Sequence, residues 1–227
     1  IAPAASIHAV TDDTPHWIPS AARVAASRLT EFHAFGCERG APGGDYSSLW
    51  QWSVDEPAAF WSAVFDFTGV IAERGPGPVL RNGERMPGAT WFEGTRLNFA
   101  ENLLRGTGVG PAIIARDERG RRRAISWDQL RAEVARVADG LRAAGVVAGD
   151  RVAGFMPNLP EAIVAMLATT SLGATWSSCS PDFGIRGVLD RFGQIAPKVL
   201  FTADGYFYGG KTLDSIERIA GILESLP

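Results

Sequence analysis

An α/β protein built around a parallel sheet is the fold class this sequence predicts, from three observations in residues 149–202. Short apolar runs at 151–156 and 174–178 have strand length, and a longer apolar stretch at 159–172 between them has helix length. A further helix begins near Gly184 and a third strand-like run covers 198–202. Strand, helix, strand, helix, strand with short connections is the pattern of a βαβαβ unit. Pro160 suits a first helical turn, where a missing N–H costs nothing, and Gly173 suits the position just past a helix end. Ligands of open parallel sheets tend to bind beyond the carboxyl ends of the strands. Those ends are the loops 157–158, 178–183 and 203–211.

The chain has 227 residues, 46% hydrophobic and 21% charged, an ordinary globular composition that can bury a core. A net charge of −3 provides no global basic field for nucleic acid or an anionic membrane. No apolar run approaches the roughly 20 residues of a membrane span. Ile1 in place of Met, with no basic start and no apolar signal core after it, predicts material upstream and no secretory signal. Cys37 and Cys179 lie far apart without metal-ligand spacing, which favours a reduced, cytoplasmic setting. The three histidines, His8, His16 and His33, all fall near the N-terminus, so a His-centred catalytic site is not expected.

In chain order, residues 1–19 mix Pro, Ser, Thr and Asp without periodicity and read as an arm. Ala21, Val24, Ala25, Leu29, Phe32 and Phe35 keep helical spacing, which predicts one helix capped by Ser20 and closed at Gly36. After a loop at 40–45, the segment 53–67 predicts an amphipathic helix. Ser53 and Asp55 are its capping residues, Pro57 is in its first turn, and Phe60, Trp61, Val64 and Phe65 lie along one face. An aromatic stripe of this kind is expected to glue an appendage helix down rather than stack a cofactor. Repeated Gly and Pro in 74–96 predict turns and extended chain. A short helix at 98–104 leads to GTGVGP, which lacks the flanking strand and helix of a dinucleotide loop and is read as a flexible joint. A hairpin at 112–126 turns at 117–120 and gathers Arg116, Arg119, Arg121, Arg122 and Arg123. These are read as a solvated edge, with a phosphate grip as the alternative. Ser126 and Gln129 form a capping box for a helix that buries Leu130, Val134, Val137 and Leu141. Ile185, Val188, Leu189, Phe192 and Ile195 line a later helix, and a last one is expected from about Leu213. Asp182 is expected to cap the helix near Gly184, and Arg186 to pair with Asp190.

From residue 126 to 204 the words SWDQL, VADGLRAAGVVAGDRVAGFMPNLPEAIVAMLATTSLGA, SPDF, LDRF and PKVLFTAD follow one another. In that order they resemble the adenylate-forming acyl-CoA synthetase superfamily. WSVDEPAAFWSAVFDF and RMPGATWFEGTRLNFAENLL are similar to the N-terminal segment of acetyl-CoA and acetoacetyl-CoA synthetases. CSPDFGIRGVLDRFGQIAPKVLFTADGYFYGGK sits closest to the acetoacetyl branch, since the acetyl enzymes carry a Phe-Gly-Gly type of loop where Ser180-Pro181-Asp182-Phe183 stands here. The resemblance implies an N-terminal arm and helix (1–45), a synthetase N-terminal segment (46–105) and the first part of an AMP-binding domain (106–227). It also implies the activity of an ATP-dependent acid–CoA ligase, which turns acetoacetate, ATP and CoA into acetoacetyl-CoA, AMP and pyrophosphate through an acyl-adenylate. The alternatives are an acetyl- or other short-chain acyl-CoA synthetase, or a non-catalytic module that binds CoA or protein.

Family members carry a Ser/Thr/Gly-rich phosphate loop ending in Lys, and residues 1–227 contain none. The nearest imitation, ATTSLG at 168–173, ends an apolar helix, where its hydroxyls are expected to bond back to helix carbonyls. Catalytic and metal-binding residues are therefore not expected in this chain. The resemblance places the ATP and Mg²⁺ sites in the rest of a longer polypeptide, without which the chain is expected to form no adenylate. What it implies here is part of a CoA site: Ser180, Pro181 and Asp182 in the loop after the second parallel strand, with Tyr208 and Lys211 at the positions of an Arg-x-x-Arg pair. Tyr208 departs from that pattern, whereas Lys211 keeps the charge; the competing reading of Lys211 is a solvated lysine beside a Gly-Gly turn. Cys179 is expected to be a semi-buried thiol, and Trp176 and Phe183 to be core residues.

Overall fold

The structure is a computed structural model that describes Pro15 and residues 17–226. Most of the arm read at 1–19 lies outside the described residues. The chain divides into two compact units, residues 1–70 with 75–94, and residues 71–74 with 95–227.

In the first unit the expected single helix is two, α1 (Ala21–Ala25) and α2 (Arg28–Cys37). Ser20 caps the first as predicted. The break comes from Ser27, whose Oγ accepts from the Thr30 N–H at 3.2 Å, while Thr30 Oγ1 donates to the Val24 carbonyl at 2.7 Å. A capping serine inside an apolar period competes with the helix ladder and starts a new helix. Two further helices follow, α3 (Tyr46–Asp55) and α4 (Pro57–Phe67). No separate helix is predicted at 46–55, and the caps expected at Ser53 and Asp55 are not used. Asp45 caps α3 through the Ser48 N–H at 3.1 Å, and that bond leads the contacts that hold its carboxyl below the ordinary 3.8. Glu56 is the residue before α4, and Ser53 is spent inside α3, donating to the Trp50 carbonyl. Pro57 in the first turn of α4 is as expected.

Phe32, Leu49, Trp52 and Ala63 form the core of this unit, with Phe35, Phe60, Val64 and Phe67 packed against it. Phe32 meets Phe60 and Phe67 edge-on, with centroids at 5.6 and 5.2 Å. Trp61 and Phe65 point away from that core, towards Trp91 (centroids 6.2 Å) and Phe92 (5.0 Å) beside the two-residue strands β1 (Leu80–Arg81) and β2 (Thr90–Trp91). The aromatic stripe is thus structural glue on two faces of α4.

The second unit begins with α5 (Phe99–Leu104), capped by Asn98. The GTGVGP joint is anchored at its start, because the Arg131 guanidinium donates to the Leu104 and Gly106 carbonyls at 3.1 and 2.8 Å. The antiparallel hairpin β3 (Ile113–Arg116) and β4 (Arg122–Ile125) leads into α6 (Trp127–Ala143) through the predicted capping box of Ser126 and Gln129. Next come β5 (Arg151–Phe155), α7 (Pro160–Ser171), β6 (Thr175–Cys179), α8 (Ile185–Phe192) and β7 (Val199–Thr202). These strands form the expected parallel sheet, in the order β6-β5-β7.

Because side chains alternate along a strand, β5 feeds two cores. Val152, with its register partners Trp176 and Val199, faces α5, α6 and α7 in a cluster containing Ala100, Leu130, Val134, Leu141, Val164 and Leu167. Ala153 and Phe155 face the other way, into a cluster with Val188, Phe192 and Ile222. The sheet is a middle layer between helices. Gly154 is needed on the first face, since a Cβ there would lie 2.6 Å from the Trp176 ring.

The last predicted elements are revised. Residues 203–215 are not a loop followed by a helix from about Leu213. They hold a second antiparallel hairpin, β8 (Gly205–Tyr208) and β9 (Lys211–Asp214), and α9 (Ile216–Leu223) starts only after it. Gly209 and Gly210, at φ +59° and +74°, make the two-residue turn that matches strand twist and all but demands glycine. Among the described residues, no helix is long and apolar enough to cross a membrane.

Two predictions follow from packing. Thr169 is fully buried on α7 and its hydroxyl has no partner, whereas the neighbouring Thr170 and Ser171 donate to the Met166 and Ala168 carbonyls. Thr169→Val should therefore be neutral or stabilise by up to about 1 kcal/mol in urea unfolding; a loss of more than that would show that the hydroxyl is satisfied. Asp150 accepts from the Val147 N–H (2.8 Å) and Lys198 Nζ (3.1 Å), tying the turn before β5 to the start of β7. Those contacts, the backbone bond first, keep its carboxyl below the ordinary 3.8. A lowered folded pKa means stabilisation that is complete above 3.8 and lost as pH falls through the lowered value. Asp150→Asn should flatten the acid limb of stability below pH 4, measured as the urea midpoint against pH.

Candidate functional site

The parallel register aligns the carboxyl ends of β5, β6 and β7, and the three loops named from sequence all leave from that edge. Pro157 and Asn158, after β5, line two adjoining concavities. The smaller, about 290 Å³, is closed by Met166 of α7, by Trp176, and by Ser178 to Pro181 after β6. The larger, about 630 Å³ and within the usual size of small-molecule sites, is bounded by the β3–β4 hairpin, the N-terminal turn of α7, and Gly205 to Phe207 of β8.

The loop after β6 is held from two sides. Asp182 does not cap α8: Gly184 is the N-cap residue there and no side chain bonds the helix start. Instead, Asp182 accepts from Ser180 Oγ at 3.0 Å and from Tyr206 Oη at 2.9 Å. Burial, and then the Asp182 carboxylate, push the Tyr206 phenol above its ordinary 10.0, so it stays a donor. The buried Pro181 offers its carbonyl to the Arg218 guanidinium of α9. Ser180 and Pro181 thus face the smaller concavity on a braced loop, while the Asp182 carboxylate is committed to bracing it. Tyr208 and Lys211 flank the Gly209–Gly210 turn as cross-strand partners, both exposed, at the far end of the hairpin whose near end Tyr206 ties down.

The hairpin arginines divide. The Arg119 guanidinium lies 3.4 Å from the Phe207 ring centroid and is gripped by Asp117, with Nη2 to Oδ2 at 2.8 Å. Arg123 pairs with Glu161 at the start of α7. Burial works against the Glu161 carboxylate, but the Arg123 bond outweighs it with help from the backbone, leaving Glu161 below its ordinary 4.5. Arg116, Arg121 and Arg122 line the larger concavity with exposed side chains. The patch is therefore neither a bare solvated edge nor a finished phosphate grip.

Cys179 is buried, and burial raises its thiol above the ordinary 9.0 against the weaker pull of Arg191. Arg191 stacks over Phe183 at 4.1 Å and bonds the Gly187 carbonyl; the expected pair of Arg186 with Asp190 does not form among the described ion pairs. Trp176 and Phe183 pack against the two cores as expected. Sequence reading missed Tyr206, Glu118 and Arg218 as parts of this site. Alternating aromatics before Gly-Gly would have signalled the hairpin, but nothing local marks which residues meet it. Among the described residues, no three His, Cys, Asp or Glu side chains are grouped to hold a metal ion.

A three-layer unit with loops at the carboxyl edge of a parallel sheet is compatible with the adenylate-forming, AMP-binding enzymes among many α/β proteins. The chain belongs to that family: residues 103–226 match the family model of AMP-binding enzymes, and residues 46–103 match the acetyl-coenzyme A synthetase N-terminus. It is 50% identical to the acetoacetyl-coenzyme A synthetase of Rhizobium meliloti (strain 1021), over 94% of this chain and 33% of that protein. It is 40% identical to the acetoacetyl-CoA synthetase of Rattus norvegicus, over 86% of this chain and 29% of that one. The solved acetoacetyl-CoA synthetase from Streptomyces lividans superposes with a TM-score of 0.88 at 47% identity, covering 94% of this chain and 34% of that one. The chain spans about a third of the length of these relatives.

The two thiols should differ sharply. Cys37 is exposed and Cys179 is buried with a raised pKa. Because the thiolate is the reactive form, iodoacetamide at neutral pH should modify Cys37 at least tenfold faster by peptide mass spectrometry. Equal rates would show that Cys179 is accessible from the smaller concavity.

Proposed function

We propose that this chain forms the N-terminal part of an acetoacetate–CoA ligase, with 46–105 as its synthetase N-terminal segment and 106–227 as the first part of its adenylation domain. What supports this above all is the 50% identity to an acetoacetyl-coenzyme A synthetase, sustained over 94% of the chain. In such a reaction acetoacetate attacks the α-phosphorus of ATP and releases pyrophosphate; the CoA thiol then displaces AMP from the mixed anhydride. A carboxylate is a poor electrophile, and the adenylate supplies it with a good leaving group. Mg²⁺ and cationic side chains would offset the charge on the phosphates.

Among the described residues, the run that comes nearest to a phosphate loop does not fit the ATP part of that scheme. The hydroxyls at 169–171 are buried or bonded to helix carbonyls, so they leave no phosphate cradle there. The role proposed for this chain is scaffold and part of the CoA surface. Ser180 and Pro181 line the approach of the CoA nucleotide, with Asp182 holding their loop. Lys211 meets the ribose 3′-phosphate as a point charge beside the Gly209–Gly210 turn, and Tyr208 packs next to it. A cytoplasmic location, small-molecule substrates and the remainder of the same polypeptide as partner complete the proposal.

The test is to express the complete reading frame and measure AMP release with ATP, Mg²⁺, CoA and acetoacetate. Activity is expected with acetoacetate and not from residues 1–227 alone. Activity with acetate instead would reassign the substrate, and no CoA-dependent turnover with any short-chain acid would refute the ligase reading. Lys211→Ala should raise the KM for CoA about tenfold, the usual worth of a charge-assisted contact, and leave the KM for ATP unchanged.

A further inference from the structure

We propose that the tip of the β3–β4 hairpin clasps the β8–β9 hairpin and that Glu118 and Arg119 are positioning residues for the CoA nucleotide. The inference rests on the CoA surface proposed for Tyr208 and Lys211.

The β8–β9 ribbon has two strands of four residues and, among the described residues, pairs with no other strand. An isolated two-stranded hairpin is marginal in water. Its near end is secured by the Tyr206–Asp182 bond and by the Ser215 N–H to the Asp204 carbonyl, 2.8 Å. Its far end carries Tyr208 and Lys211, and a different element secures it. Both oxygens of the Glu118 carboxylate accept from successive backbone amides of the turn, Gly209 N at 3.1 Å and Gly210 N at 3.3 Å. Two consecutive N–H groups with positive φ converge on an anion in this way in backbone nests.

A second contact stands beside the first. The Arg119 guanidinium lies over the ring of Phe207, one residue before Tyr208, with its carbon 3.4 Å from the centroid. It is pre-set for that contact, because Asp117 holds it at both Nε (3.1 Å) and Nη2 (2.8 Å) and also takes the backbone N–H groups of Arg119 and Arg121 at 3.0 Å each. Three consecutive residues therefore fix the turn, the tip and the stacked cation. Their sequence separation from the β8–β9 turn exceeds ninety residues for the Glu118 bonds, so the clasp depends on the fold of the whole unit.

Without it, Lys211 and its turn would have to be ordered by the ligand, and that ordering subtracts from affinity. The consequence is confined to CoA. In the complete protein, Glu118→Ala and Arg119→Ala should each raise the KM for CoA three- to tenfold, while kcat at saturating CoA and the KM values for ATP and acetoacetate stay within twofold. Glu118→Gln keeps one acceptor and should fall between. Hydrogen exchange reads the clasp independently of turnover: in the complete protein, the Gly209 and Gly210 amides should exchange at least tenfold faster in Glu118→Ala, with an unchanged urea midpoint. If the complete wild-type protein proves inactive with CoA, the proposed function falls, while faster exchange still supports the clasp itself. If Lys211→Ala raises the KM for CoA and Glu118→Ala leaves it unchanged, the positioning role is overturned. A lowered KM for CoA in Glu118→Ala would overturn it as well, because the carboxylate would then be competing with the ligand phosphate for the nest.

Discussion

Strand β5 is bonded along both edges and buried on both faces, and the second unit is arranged around that double burden. Its neighbours β6 and β7 run parallel to it, so three carboxyl ends finish at one edge. Alternation then assigns Val152 to one helical layer, and Ala153 and Phe155 to the other. A one-residue slip would exchange those faces and put the Trp176 ring against a side chain instead of Gly154, so register is set by volume as well as by hydrophobicity. The aligned strand ends are what bring residues 157–158 and 180–183 and the β8–β9 hairpin to a common rim.

At that rim, charge is arranged locally rather than globally. The chain is net negative, yet five arginines sit on one short hairpin beside the larger concavity. Carboxylates already occupy part of that charge: Asp117 grips Arg119, and Glu161 pairs with Arg123. What remains exposed, Arg116, Arg121 and Arg122, is a moderated positive field beside Tyr206 and Phe207. The cations that look most like a phosphate grip in the sequence are in part structural, and the contact with the turn beside Lys211 is made by an acid.

Helices and strands with a strong period were legible because their signal is local. The capping box at Ser126, Pro160 opening α7 and Gly173 closing it each act within one turn of chain. Where two local rules competed, periodicity misled. The apolar spacing from Ala21 to Phe35 ran through Ser27, whose hydroxyl captured the Thr30 amide and split the helix. Ser53 and Asp55 resembled caps because Pro57 follows them, but the cap that starts α3 lies upstream at Asp45.

Sequence alone determined the parallel unit and helix α4, which patterns of residues within a few turns of one another carry, and the family, which the order of such words along the chain carries. It also singled out Ser180 to Asp182, Tyr208 and Lys211 by resemblance. The tertiary structure decided what those residues touch. Asp182 turned from a helix cap into an acceptor for Tyr206, and the supposed loop at 203–211 became a hairpin held by Glu118 and Arg119. These contacts join residues 24 to 92 positions apart, and no local period encodes a partner at such distances. The partners are brought together by the core and the sheet register.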